Sequence, residues 1–139
     1  MKKIFFLIFL FSLSIFTFAQ NNIDLYISFL GKPVPENFHR VNRTTYMNED
    51  SIILYVQDGL VISSVIGIAF DHTHEAIHWL ADYYNFFEDQ NWTFSESDLK
   101  GDVYKKDGII AICITPSKRD DNLIATMVIL LKEEYKDMF

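Results

Sequence analysis

The stretch SIILYVQDGLVISSVIGIAF, Ser51 to Phe70, decides how this chain is read. Ser51 to Val56 is rich in β-branched residues, and Gln57-Asp58-Gly59 is the signature of a tight hairpin turn. Leu60 to Phe70 then returns as a second strand. Alternation along it predicts Leu60, Ile62, Ile66, Ile68 and Phe70 on one face and Val61, Ser63, Val65, Gly67 and Ala69 on the other. The first set is bulky and belongs to a core. The second is smaller, yet it carries no charge.

Working outward, the period changes from two to about 3.6. Asp71 or Thr73 can cap a helix over Thr73–Gln90, with Glu75 in the first turn where the helix dipole favours an acid. Ile77, Leu80, Tyr84 and Phe87 form its apolar stripe, with Trp79, Tyr83 and Phe86 beside it. Upstream, Asp24 to Leu30 reads as a short helix stopped by Gly31 and Pro33, and Lys32 to Asp50 reads mostly as loop, with a brief extended piece at Thr44-Thr45-Tyr46. Downstream, Ser95 to Asp102 reads as loop. A second hairpin follows, Val103 to Lys105 and Ile109 to Thr115 around Lys106-Asp107-Gly108, and then a last strand from Leu123 to Leu131. The tail from Lys132 is charged.

The two hairpins align, Tyr55 to Val61 with Tyr104 to Ile110, each with a helix before it. This element order resembles that of small exported proteins built from tandem helix-plus-hairpin units, as in the β-lactamase-inhibitor-like fold. The likeness covers element order alone. The expected fold is α+β: an antiparallel sheet of about four to five strands, packed by one long helix and a short N-terminal one. Its core is expected to draw on Leu60, Ile62, Ile66, Ile68, Ile77, Leu80, Tyr84, Phe87, Ile112, Val128 and Leu130.

Composition narrows the classes. Half of the 139 residues are apolar, which offsets chain entropy by burial and excludes a disordered chain. A single cysteine, Cys113 between two isoleucines, excludes a disulfide scaffold and reads as a small buried hydrophobe. Twelve basic against 19 acidic residues argue against nucleic acid as a partner. Met1-Lys2-Lys3, an apolar run from Ile4 to Phe18 and a small residue at Ala19 have the three-part layout of a secretory signal. At about 1.5 Å per residue the run covers roughly 22 Å, short of a bilayer core of about 30 Å. Residues 1–19 are therefore expected to be a cleaved signal, and residues 20–139 a single domain, exported to a periplasm or medium with no stable membrane span. Loss of Lys2 and Lys3 takes the net charge from −7 to −9.

One motif carries chemistry. Three of four histidines fall in Asp71-His72-Thr73-His74-Glu75-Ala76-Ile77-His78, and His74-Glu75-Ala76-Ile77-His78 is similar to the H-E-x-x-H signature of the zincin metalloproteases. On a helix His74 and His78 lie one turn apart and can share a Zn²⁺, with His72 nearby. The resemblance implies Glu75 as the general base acting on metal-bound water. Glu96 or Glu133 would supply the further ligand. The metzincin extension is not met, because Ala81 and Tyr84 stand where Gly and His belong. The same residues also suit a plain helix start, and this is the favoured reading.

One long helix and one short one leave part of such a sheet uncovered. The expected function is therefore a non-enzymatic binding or interaction module without a cofactor, contacting an unknown protein or small ligand across its sheet. The alternative is a zinc-binding protein or zinc-dependent hydrolase.

Overall fold

A computed structural model of the chain describes residues 23–97 and 100–138. The expected export signal, residues 1–19, lies outside the described residues. Helix α1 spans residues 23–29. It is followed by β1 (His39–Arg40), β2 (Thr45–Met47), β3 (Ile53–Gln57) and β4 (Leu60–Phe70). Helix α2 (Thr73–Asp89) precedes β5 (Thr93–Ser97), β6 (Gly101–Lys106), β7 (Ile109–Lys118) and β8 (Ile124–Lys132). A 3₁₀ segment, Glu133–Met138, follows β8. Among the described residues no helix is long and apolar enough to cross a membrane.

All eight strands form one antiparallel sheet in the order β1-β2-β3-β4-β8-β7-β6-β5. The chain is thus two helix-plus-four-strand meanders, joined edge to edge through their last strands. This corrects the expected sheet of four to five strands. Strand β1 and the part of β5 from Ser95 onward fall in segments expected to be loop, because short, exposed and largely polar edge strands show no apolar alternation. The repeating unit is also not the helix-plus-hairpin pair drawn from sequence. Asp58-Gly59 closes the last turn of the first meander, whereas Asp107-Gly108 closes the middle turn of the second. Their likeness is local: both turns place Asp and Gly at positive φ, 52° and 78° in one and 52° and 76° in the other, the geometry whose twist matches paired strands.

Both helices lie on one face of the sheet. Ile23, Tyr26 and Leu30 from the first unit share a core with Leu80, Tyr83, Phe86 and Phe87 of α2 and with Leu54, Ala111, Cys113, Val128 and Leu130 of the sheet. The end of α2 is fixed by its sequence. Asn91 adopts a left-handed φ of 60°, the Trp92 N–H donates to the Phe87 carbonyl at 2.9 Å and the Asn91 N–H to the Glu88 carbonyl at 3.2 Å. This is a Schellman cap, completed by the Trp92 ring 4.9 Å from that of Phe87 and by Lys106 Nζ donating to the Gln90 carbonyl at 2.6 Å.

The pairing of β3 with β4 is irregular. Val56 pairs with Val61 but Tyr55 pairs with Ser63, so Ile62 is an extra, bulged residue. Strict alternation breaks there. Ser64, Ile66, Ile68 and Phe70 face the helices, but Leu60 and Ile62 do not join them. Leu60, Ile68 and Ile77, expected in the core, are exposed. The buried stripe of α2 is Ala76, Leu80, Tyr83, Phe86 and Phe87, rotated from the expected one because the small Ala76 takes the innermost place in the first turns. A second bulge, between Ile114 and Ser117, admits Pro116 into β7, and the Thr126 hydroxyl donates to the Ile114 carbonyl at 2.9 Å.

Candidate functional site

The histidine cluster forms the mouth of α2. His72 is the N-cap residue, in place of the expected Asp71 or Thr73, and its N–H donates to Glu75 Oε2 at 3.3 Å. The Glu75 carboxylate is thereby occupied in starting the helix. The His72 and His74 rings stack with centroids 5.5 Å apart, and His78 follows one turn on. All three are exposed. Neither further ligand candidate reaches them. Glu96 bonds Lys136, and Glu133 bonds Lys105 at 3.0 Å, both on the opposite side of the sheet from α2. Among the described residues no three His, Cys, Asp or Glu side chains converge on a point that could hold a metal.

Under the second half of α2 the packed core holds several titratable side chains. Cys113 is fully buried, and burial pushes its thiol up to about 12, with the Asp102 carboxylate adding to the shift. Tyr104 is pushed up to about 12, by burial first and then by Cys113, Glu88 and Asp102. Tyr83 and Tyr84 are raised too, again chiefly by burial. A thiol so protonated is no nucleophile at neutral pH.

The sign of the pH dependence follows. The native state keeps protons that the unfolded chain releases from about pH 9 upward, so stability is complete below that pH and falls as pH rises toward about 12. The native protein is expected to leave Cys113 unmodified by Ellman's reagent at pH 8, with full reaction in denaturant. Tyrosinate absorbance is expected to rise together with loss of circular dichroism above pH 10. Ready labelling of the native thiol would contradict this burial.

No family model, curated protein or solved structure matches the chain.

The face of the sheet away from the helices has the more unusual chemistry. Register places Ser63, Val65, Gly67 and Ala69 of β4 on it, beside Leu131, Ile129, Met127 and Ala125 of β8. Ile110, Ile112 and Ile114 of β7 continue the row. These three central strands put no charged side chain on the paired part of that face. At one end Val103, Ile110 and Leu131 are buried in a second small core, with Tyr135 of the 3₁₀ segment packed on it. Ile112 and Ile129 also pack, partly buried, against that core; beyond them Ile114 and Met127 are partly buried, and Gly67 is exposed. The small, uncharged set Ser63, Val65, Gly67 and Ala69 was legible in the sequence as a face. Its covering by the C-terminal tail was not, because a charged 3₁₀ segment bearing one tyrosine has no period to detect.

Proposed function

We propose that the protein is an exported, non-enzymatic binding module whose contact surface is the helix-free face of its sheet. One observation carries this reading: in an acidic chain, three neighbouring strands line up the partly exposed Ile112, Ile114, Met127 and Ile129 with no charge among them. Covering such a face removes apolar area from water, at about 25 cal/mol per Å², and desolvates no ion. Sizeable uncharged patches of this kind mark contact sites on soluble domains. Gly67, Ala69 and Ala125 keep the surface beside Met127 low, so an apolar partner can approach the backbone there.

The test is binding of N-phenyl-1-naphthylamine, a neutral apolar fluorophore. Met127→Asp is expected to weaken its binding at least tenfold. Ile77→Asp, on the exposed outer side of α2, is expected to leave it unchanged. Equal binding by both variants, or no binding by the parent protein, would remove the face from consideration.

A further inference from the structure

We infer that the end of this face beneath the C-terminal segment is a site for a small, neutral amphiphile, with the Ser63 hydroxyl as its hydrogen-bonding anchor and Glu133–Met138 as its cover. The inference rests on the helix-free face being the contact surface, and it names what that surface takes.

Two neighbouring serines make the contrast. Ser64 faces the helices, and its hydroxyl donates to the Tyr26 carbonyl at 3.1 Å. Ser63, fully buried on the opposite face, carries the one buried side-chain polar atom among the described residues that has no hydrogen-bond partner. Leaving a buried hydroxyl unpaired is costly, and alanine would pack there without that cost. Such an orphan is explained when something other than the present cover completes it.

Beside it is a cleft of about 340 Å³ lined by Thr44, Tyr55, Val56, Gln57, Ile62 and Met138. That volume lies in the range of small-molecule sites, about 300–1,000 Å³. Tyr55 is the cross-strand partner of Ser63, and Ile62 is the bulged residue before it, so two of the lining residues flank Ser63, which is itself fully buried and outside the lining. The described lining is mostly apolar and includes no charged side chain. A neutral ligand is thereby favoured over a fatty-acid anion, in a protein that is itself acidic.

The cover is held lightly. Met138 is mostly exposed; the segment's start is anchored by the Glu133 N–H donating to the Gly108 carbonyl at 2.8 Å, and the rest is tied by Tyr135 on the small core and by two surface ion pairs, Glu133 to Lys105 and Lys136 to Glu96. Exposed pairs of this kind contribute little to stability. A ligand can therefore lift the segment and reach Ser63.

The experiment measures 1-decanol binding by titration calorimetry, together with the thermal midpoint with and without 1-decanol. The parent protein is expected to bind 1-decanol, and decanoate at least tenfold more weakly. Ser63→Ala is expected to bind 1-decanol about fivefold more weakly, while its ligand-free midpoint rises by about 2–4 °C. Lys136→Glu, which sets like charges against Glu96, is expected to tighten 1-decanol two- to threefold. Equal 1-decanol affinity in parent and Ser63→Ala overturns the inference. So does absence of both binding heat and midpoint shift while the fluorophore still binds in a Met127-dependent way, a result that leaves the face reading intact. Failure of the fluorophore to bind the parent protein sinks both.

Discussion

Gly101→Ala is expected to abolish folding or to lower the thermal midpoint by more than 15 °C. Gly101 opens β6 at φ +156° and pairs with Ile114. A Cβ added there would lie 1.8 Å from the Cys113 carbonyl oxygen and 2.7 Å from its carbon. Both obstacles are backbone, so no rotamer change relieves the clash. The β6–β7 pairing must open, and with it the strands that cover Tyr104 and Cys113. Overpacking in a core costs about 1–3 kcal/mol even where side chains can give way. Here the cost approaches the whole stability of an ordinary domain, about 5–15 kcal/mol. Gly59→Ala supplies the comparison. Its φ of +78° is unfavourable for alanine, but nothing lies within 4 Å of the added carbon, so only about 1 kcal/mol is expected. Thermal melts of the two variants separate these cases, and a Gly101→Ala protein melting within 3 °C of its parent would refute the packing described.

Phe87→Ala is expected to cost about 3–5 kcal/mol, read from the denaturant midpoint at unchanged slope. Phe87 is fully buried, and its ring meets Phe86 at 5.6 Å, Trp92 at 4.9 Å and Tyr104 at 5.2 Å. It links the inner stripe of α2, the cap at its end and the β6 strand beneath. Truncation leaves a cavity that three other rings cannot close without losing their mutual geometry. Ile77→Ala, ten residues earlier on the same helix, is expected to change stability by less than 0.5 kcal/mol, because that side chain is 55% exposed. Equal losses in the two variants would mean that the helix is rotated about its axis from the orientation described.

That pair of residues also shows where reading the sequence succeeded and where it stopped. Leu80 and Phe87 belong to the buried stripe, and both Asp-Gly turns were visible, because tight hairpins and amphipathic helices are written in local pattern. Ile77 was expected inside because it is large and apolar. Ala76 took the place because depth there is set by how closely the helix approaches the sheet, which is a tertiary quantity. The bulge at Ile62 is likewise invisible to alternation, since a single extra residue reverses the assignment of Leu60 without altering composition. Edge strands His39–Arg40 and Thr93–Ser97 carry a single apolar side chain between them, Phe94, too little for an alternating strand signal. The histidine spacing was legible, but the bond from the His72 N–H to Glu75, and the place of Glu96 and Glu133 across the sheet, are not properties of spacing.

The seam between the two halves bears on how the chain assembles. β4 is eleven residues long, and its partner β8 lies about sixty positions later, with Ser63 opposite Leu131 and Phe70 opposite Ile124. A ribosome releases the first half well before that partner exists. During this interval β4 is an open, greasy rim of the kind that recruits neighbouring chains. Closure must wait for β8, so the two sub-assemblies join along their common border only once that strand is available.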